Sequence, residues 1–261
     1  MTLLGVGGGA GGGGGNTTLG GIGTGYLYAD WIGQIAYTTP NMNGFQATLG
    51  LMQPWTANTT LSSVTGDTAL SSASVGTSDE FGYQGQASYS WTGDFAGKVW
   101  GGFFLQQVSN IGTPDADGIV TDGSSHDAEA FEVGVSTSIY NIGLVGYAYT
   151  GEGVGTTILL GDAFDANGSK RDSDGGYVQA TYVIPTGTKL GVSYGISNLD
   201  GNTVDANTTL VEENERITIG AYHPLTKHLN LVAEYNNMEA KAQNGNTNES
   251  DTISLGAILF F

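Results

Sequence analysis

The last residues of the chain, Asp251-Thr-Ile-Ser-Leu-Gly-Ala-Ile-Leu-Phe-Phe261, decide the fold class. In an extended strand, successive side chains point to opposite faces. One face of this segment therefore carries Ile253, Leu255, Ala257, Leu259 and Phe261, and the other carries Thr252, Ser254, Gly256 and Ile258. An apolar face opposite a mostly small or polar face predicts a membrane-spanning strand of a β-barrel. The aromatic last residue is typical of the strand that closes such a barrel.

The composition fits a barrel and excludes a helical membrane protein. No run of the sequence approaches the roughly 20 apolar residues that a spanning helix needs. The mean hydropathy is -0.08, which a barrel tolerates because its apolar residues occupy only alternate positions. Charged residues make up 12% of the chain, about half of the roughly 25% usual in soluble proteins. The 44 glycines with only 5 prolines suit strand bends and crowded barrel walls.

Charge and cysteine content narrow the function classes further. The net charge of -18 argues against nucleic-acid binding. Without cysteine the chain has no disulfide and no thiolate metal site, and its redox compartment stays open. Residues 1–6, Met-Thr-Leu-Leu-Gly-Val, lack the cationic and apolar regions of a signal peptide. Because an outer-membrane protein must be exported, we expect a mature chain or a part of a longer one.

The sequence predicts an all-β, antiparallel transmembrane barrel with about eleven strands in this chain. Most of the segments alternate between apolar and polar residues, and each is about as long as the 9–11 residues of a tilted membrane strand. Two of them, 96–107 and 142–150, are ambiguous because bulky residues occupy both faces. The predicted strands are 26–38, 44–54, 81–91, 96–107, 129–139, 142–150, 176–185, 189–198, 214–223, 228–238 and 251–261.

The connections between these strands alternate in length. The short ones are 39–43, 92–95, 140–141, 186–188 and 224–227. The long ones are 55–80, 108–128, 151–175, 199–213 and 239–250. Short turns on one rim and long loops on the other are typical of outer-membrane barrels, where the long loops are extracellular. We therefore predict that residues 26–261 form barrel strands with long extracellular loops.

The strand count leaves two alternatives for the N-terminal region. Single-chain bacterial barrels have an even number of strands, whereas eleven is odd. Residues 2–21 could supply a twelfth strand, but a strand so rich in glycine would be weak. The favoured alternative is a larger barrel that lacks its N-terminal strands here. Residues 1–25 are then a Gly-rich extracellular segment or the remnant of a constriction loop.

A second motif carries a family resemblance. The stretch Ile35-Ala-Tyr-Thr-Thr-Pro-Asn-Met-Asn-Gly-Phe-Gln-Ala-Thr-Leu49 resembles a motif of the Gram-negative general porins, in which a strand ending in Tyr-x-x-Pro turns through Gly-Phe into the next strand. There it follows the fifth of sixteen strands, so the resemblance implies that the eleven strands of this chain are part of a sixteen-stranded porin barrel. The resemblance implies a trimeric diffusion channel in the outer membrane, in contact with lipid and lipopolysaccharide. It also implies that Phe261 is the signal read by the barrel-assembly machinery.

Charged residues on the polar faces are the first candidates for a pore lining. An arginine or lysine facing lipid at mid-depth would cost roughly 2–4 kcal/mol, so a wet lumen is the cheaper environment. Arg216 and Glu234 flank the turn 224–227 and are expected side by side, either as a structural ion pair or as a transverse field in the pore. The predicted pore-lining residues are Gln46, Thr48, Gln84, Gln86, Ser88, Glu132, Lys189, Arg216, Thr218, Asn230 and Glu234.

The acidic residues concentrate in the long loops. They either keep the loops hydrated or form an acidic mouth that attracts cations, which predicts a mild cation preference. One loop could offer oxygen ligands to calcium, although it lacks the spacing of an EF-hand. Its candidate ligands are Asp162, Asp165, Asn167, Asp172 and Asp174. We otherwise expect no cofactor.

Enzymatic activity finds no support in the sequence. The glycines of 20–25 lack the Gly-Lys-Ser/Thr of a phosphate-binding loop. Of the three histidines, His126 lies in a predicted loop, and the turn residues His223 and His228 have no nearby serine and acid in the arrangement of a catalytic triad. We therefore predict a porin, a passive channel for small hydrophilic solutes and ions. The alternative is a surface adhesin or receptor barrel that acts through its long loops.

Overall fold

A computed structural model describes residues 23–27, 32–55, 78, 80–111, 123–165 and 168–261 of the chain. Within these ranges no helix is long and apolar enough to cross a membrane. The regular elements of the described residues are all β-strands. They are β1 Gln34–Thr38, β2 Phe45–Met52, β3 Gly82–Trp91, β4 Phe95–Ile111, β5 Ser124–Ile139, β6 Ile142–Glu152, β7 Asp172–Val183, β8 Lys189–Leu199, β9 Val211–Thr226, β10 Leu229–Ala242 and β11 Thr247–Leu259.

The eleven strands form one antiparallel sheet in sequence order, β1 to β11. Each strand therefore pairs with its chain neighbours, as in a succession of β-hairpins. The prediction of eleven antiparallel strands is confirmed. The first predicted strand, 26–38, is represented by the five residues of β1, and its residues 28–31 lie outside the described part. Of the Gly-rich region 1–25, only residues 23–25 are described.

The two ends of the sheet carry connections of different length. At one end the turns are short, as in the two-residue turn Tyr140-Asn141 between β5 and β6. Four connections at the other end are longer, namely 53–81, 112–123, 153–171 and 200–210. The predicted long loop 239–250 is wrong. Most of it belongs to β10 and β11, which pair up to Lys241 and Thr247 and are joined by 243–246.

The physical reason for this error is that the strands continue beyond their apolar part. The paired residues between Met238 and Asp251 are mostly polar, so hydropathy ends the predicted strands where the backbone ladder does not end. Polar strand residues satisfy their backbone hydrogen bonds as well as apolar ones do. The turn itself contains Gly245 with φ +79°, a left-handed conformation that glycine adopts readily.

The predicted turn 224–227 is also misplaced. Strand β9 runs to Thr226, and Pro224 lies within it opposite Asn230. A register shift between Leu229 and Asn230 accommodates this proline, which has no N–H to donate. The turn is therefore 227–228, and the pairing between β9 and β10 differs from the one that symmetry about 224–227 predicts.

The exposure of the two faces of the sheet is the reverse of that in a soluble protein, because apolar side chains are exposed and polar ones are buried. On one face, here called the apolar face, Ile253 is 78% exposed and Leu255 is 80% exposed. On the other, the polar face, Glu234 and Asn236 are each only 2% exposed. In water such an apolar surface would be unfavourable, whereas against lipid it is expected.

The main hydrophobic cluster lies at the long-loop end. There the connection 153–171 folds back over the ends of β4 and β5. Phe164 and Leu160, both almost fully buried, pack in this cluster with Val108 of β4 and Ala128 of β5. Its members are Val108, Ile111, Ala128, Val154, Leu159, Leu160, Ala163 and Phe164. This connection is thus a packed element that covers part of the polar face.

Candidate functional site

The strand register brings the predicted pore-lining residues to one face. A row of paired residues crosses the sheet on the polar face from β2 to β11. It runs through Thr48, Gln86, Gly102, Glu132, Tyr149, Gly175, Ser197, Asn214, Ala240 and Asn248. Counting by two along each strand places Gln46, Gln84, Ser88, Lys189, Arg216, Thr218, Asn230 and Glu234 on the same face. That they line a water-filled pore stays a prediction.

Aromatic residues of the polar face were not predicted. Tyr147 of β6 and Tyr177 of β7 stack at a ring-centroid distance of 5.4 Å, and Tyr147 lies 6.4 Å from Tyr149. On β4 the same face carries Trp100 and Phe104. The signal in the sequence was the presence of bulky residues on both faces of 96–107 and 142–150. In these two strands, aromatic residues therefore lie on the polar face.

Glu132 occupies the centre of this aromatic region. Its carboxylate accepts a hydrogen bond from Gln86 Nε2 at 3.0 Å and another from the Tyr147 hydroxyl at 2.8 Å. Gly102 faces it from β4, where a β-carbon would lie 2.8 Å from Glu132 Oε1. The glycine thus leaves room for the carboxylate, and two neutral donors fix its orientation.

Residues 23–27, here called the inner segment, lie against the polar face. Ser197 Oγ donates to the carbonyl of Gly23, and the Tyr26 and Tyr177 rings meet edge to face at 5.7 Å. The approach is so close that a β-carbon on Gly195 would lie 2.2 Å from the carbonyl oxygen of Thr24. Glycine at position 195 therefore lets the segment's backbone rest directly on β8. The inner segment narrows the space in front of β7 to β9.

Arg216 and Glu234 do not lie side by side. Arg216 pairs with Met238, and Glu234 pairs with Gly220, so their positions lie four residues apart along β9. The physical reason is that the turn lies at 227–228 and not at 224–227. Arg216 is 9% exposed and interacts electrostatically with Tyr26 of the inner segment. Glu234 accepts a hydrogen bond from the Tyr222 hydroxyl. Among the described residues the two side chains thus form no ion pair and are not cross-strand neighbours, although the charge of Glu234 still acts on Arg216.

The acidic residues proposed for calcium have protein partners. Asp165 accepts hydrogen bonds from the Ser169 backbone N–H at 2.8 Å and from Asn202 Nδ2 at 3.0 Å. Asp174 accepts from Asn198 Nδ2 at 3.1 Å. Asp162 is buried beside them, Asp172 is exposed at the start of β7, and Asn167 lies outside the described residues. In the described ranges no three acidic or histidine side chains are close enough to hold a metal ion. Calcium binding by this loop stays a prediction.

The same connection contains a partly exposed ion pair. Lys170 Nζ lies 2.6 Å from Glu152 Oε2. The hydrogen bond to Glu152, with the charges of Glu152, Glu129 and Asp127, raises the pKa of Lys170, although partial burial opposes the effect. The pair ties the end of the connection to the end of β6.

Comparison with protein families assigns this architecture. A model of the Gram-negative porins matches residues 2–243. The chain belongs to the Gram-negative porin family. As a porin it is an outer-membrane protein, in agreement with its apolar outer surface. No curated protein sequence matches it significantly.

Solved structures similar to this porin are outer-membrane barrels. The channel DcaP of Acinetobacter baumannii matches with a TM-score of 0.72 and 13% identity, over 92% of this chain and 64% of DcaP. An anion-selective porin from Comamonas acidovorans matches with a TM-score of 0.57 and 16% identity, over 87% of this chain and 59% of that porin. OprB of Pseudomonas putida matches with a TM-score of 0.54 and 10% identity, over 87% of this chain and 58% of OprB. At these identities the likeness establishes the barrel fold. The chain spans about three fifths of the length of these neighbours.

Proposed function

We propose that this porin is a passive diffusion channel for small hydrophilic solutes and ions. The observation that carries the proposal is the distribution of polar groups over the two faces. Charged and amide side chains such as Glu132, Arg216 and Gln86 share one face, while exposed aliphatic side chains cover the other. In a closed barrel this arrangement places the apolar face toward lipid and the polar face around water.

The proposed activity is passive and needs no catalytic group. Solutes move down their gradients, and the wall selects by size and charge. The inner segment limits the cross-section, because its backbone rests on β8 through the contact of Thr24 with Gly195. Arg216 lies next to this narrowing, since it pairs with Gly195 across the sheet.

A mild cation preference is the second part of the proposal. On the polar face of the described strands, the acids Glu132 and Glu234 are more than offset by the three cations Lys98, Lys189 and Arg216. Any preference must therefore come from acids elsewhere, in the long loops and in the strand ends next to them, such as Glu239 and Glu249, because the whole chain carries a net charge of -18. Charges at a channel mouth are screened over about 10 Å at 0.1 M salt. The cation preference should consequently weaken as the salt concentration rises.

Planar-bilayer recording of the purified protein tests both parts. A diffusion channel produces stepwise increases of current whose size follows the salt concentration. Reversal potentials in salt gradients, recorded at low and high ionic strength, report the selectivity and its screening. A membrane-inserted protein without conductance steps would contradict the channel and favour a receptor or adhesin barrel. Steps without cation preference at low salt would contradict only the role of the loops.

The proposed partners follow from the family and location. We propose a homotrimer embedded in outer-membrane lipid and lipopolysaccharide. Phe261, fully exposed beyond the end of β11, is the proposed signal for the barrel-assembly machinery. The variant Phe261→Ala should then reduce the amount of folded protein in the outer membrane. Unchanged insertion of this variant would contradict the role of the residue, and native mass spectrometry tests the trimer.

A further inference from the structure

A cavity of about 540 Å³ opens on the polar face around Glu132. Its lining includes Trp55, Phe104, Tyr147 and Tyr149 as aromatic walls, with Gln86 and Glu132 as polar groups. We propose that this cavity binds organic ammonium ions that carry an apolar group and a hydrogen-bond acceptor. The proposal rests on the proposed channel function, because it assigns a solute class to the same wall.

The charge of Glu132 provides the first argument. Both of its present partners, Gln86 and Tyr147, are neutral. In the part of the chain that the structure describes, its carboxylate has no ion-pair partner. The cation on the adjacent strand is Lys98, which pairs with Ser136, four residues along β5 from Glu132. Its ammonium lies 5.9 Å from the centre of the Trp100 ring. An uncompensated carboxylate in a cavity with low-dielectric walls attracts a cation.

Two unpartnered polar atoms provide the second argument. Tyr149 is 6% exposed, and its buried hydroxyl has no hydrogen-bond partner. The buried indole N–H of Trp55 also has none. Buried polar atoms in native proteins are nearly always hydrogen-bonded, so each such atom calls for an explanation. Because the indole N–H can only donate, the ligand that completes it must carry an acceptor such as a hydroxyl oxygen.

The aromatic walls provide the third argument. Phe104, Tyr147 and the Trp55 ring offer apolar surface for the body of a ligand. Aromatic faces also attract ammonium groups through their quadrupole. An anionic solute would be repelled by Glu132, and a neutral one would leave the carboxylate uncompensated. The combination therefore favours a cation with an apolar body.

The walls of the cavity are held in place by further contacts. Gln106, which is 3% exposed, accepts from the Trp55 backbone N–H at 2.9 Å and donates to the Trp55 carbonyl at 2.8 Å. Gly102 leaves the space that the Glu132 carboxylate occupies. A site held in place before the ligand arrives avoids part of the entropic cost of binding.

Three probes of nearly equal shape test the assignment: the cation tyramine, the neutral tyrosol and the anion 4-hydroxyphenylacetate. In single-channel recordings of the wild-type protein, tyramine should interrupt the current with a dissociation constant about tenfold lower than that of tyrosol, equivalent to a modest ion pair. The anion should cause no specific interruptions. Glu132→Gln keeps the size of the side chain and should abolish the preference for tyramine. Glu239→Gln, a change of the same charge on the apolar face, should leave it intact.

A second variant and a second measurement separate the possible failures. Trp55→Phe keeps an aromatic ring but removes the N–H, and should weaken tyramine binding severalfold. Calorimetric titration of detergent-purified protein measures tyramine binding without a bilayer. A protein that conducts but binds tyramine no better than tyrosol overturns this inference and leaves the channel function standing. A protein without conductance steps overturns the channel function. Calorimetry alone then shows whether the cavity binds tyramine.

Discussion

Arg171 and Asp205 form a bidentate ion pair in which both side chains are almost fully buried. Arg171 Nη2 lies 2.6 Å from Asp205 Oδ1, and Nε lies 2.8 Å from Oδ2. The remaining donor, Nη1, reaches the carbonyls of Asp162 and Phe164 at 2.8 and 2.6 Å. One guanidinium thus joins the connection 153–171 to the connection 200–210. Because the first of these covers part of the polar face, the pair fixes a wall of the proposed pore.

Asp205→Ala should release the connection 153–171. Removing one partner of a buried ion pair typically costs about 3–5 kcal/mol, because the other charge is left without compensation. We expect the barrel strands to persist and the connection to become accessible, which limited proteolysis of the folded protein and amide hydrogen exchange would detect.

The exposed pair of Lys241 and Glu212 provides the matched control. Its atoms lie 3.1 Å apart, and the two side chains are 39% and 38% exposed. Exposed pairs contribute about 0–1 kcal/mol, so Glu212→Gln should leave the protection of 153–171 unchanged. Equal protection in the Asp205 and Glu212 variants would show that the buried pair does not hold the connection.

The ion pair of Lys170 and Glu152 should make the same connection sensitive to high pH. Because the pKa of Lys170 is raised in the folded protein, its contribution is complete below the ordinary pKa of a lysine. The contribution is lost as the pH rises through the raised pKa. Hydrogen exchange near 153 should therefore accelerate in alkaline solution beyond its intrinsic pH dependence. The variant Lys170→Met should not show this additional acceleration. An identical dependence of hydrogen exchange on pH in both proteins would refute the role of the ion pair.

Arg216→Glu should raise the cation preference of the channel. The exchange changes the charge by two units beside the inner segment. In water, two unit charges at roughly 8 Å change the energy of a monovalent ion by about 1 kcal/mol, equivalent to about fivefold in permeability ratio. Reversal potentials at low salt measure this ratio. Lys227→Glu makes the same charge change in the exposed turn at 227–228 and should have a smaller effect. Equal shifts in both variants would show that Arg216 does not act locally.

The strands and their faces could be predicted from the sequence, but part of the pairing could not. Alternation with a period of two determines which side chains share a face, and a membrane barrel displays it because one face meets lipid. All eleven predicted pore-lining residues, from Gln46 to Glu234, consequently share the polar face. Pairing across a hairpin depends on the turn, and the turn at 227–228 places Arg216 four positions away from the partner of Glu234. Hydropathy carries no information about the exact position of such a turn.

The candidate site was predictable only in part, for a related reason. Glu132 was found because a charge on an alternating strand stands out. Tyr147, Tyr149 and Trp55 were not, because an aromatic residue in a barrel strand fits the lipid interface as well as the interior. The role of Gly195 was also hidden, since its contact with the inner segment joins residues far apart in the chain. Tertiary contacts of this kind leave no local pattern.

Gly195→Ala should displace the inner segment and widen the channel. The added β-carbon would lie 2.2 Å from the Thr24 carbonyl oxygen, which is backbone and cannot rotate away. Overpacking of this kind typically costs about 1–3 kcal/mol. Strand β8 is paired with β7 on one side and β9 on the other, so the inner segment is the part that should move. Single-channel conductance should therefore increase, together with the largest neutral polymer that enters the pore.

Gly256→Ala supplies the control for this variant on the same face of the sheet. A β-carbon at position 256 meets no atom within 4 Å, so the substitution adds the same methyl group to β11 without a clash. Its conductance should equal that of the wild-type protein. If Gly195→Ala conducts like Gly256→Ala while both fold normally, the inner segment does not set the width of the channel. If only Gly195→Ala conducts more, the narrowest passage lies between the inner segment and the strands facing it, because the severe clash of that methyl group is with the Thr24 carbonyl, whereas Tyr177 Cβ, at 3.3 Å, needs to shift by only a few tenths of an ångström.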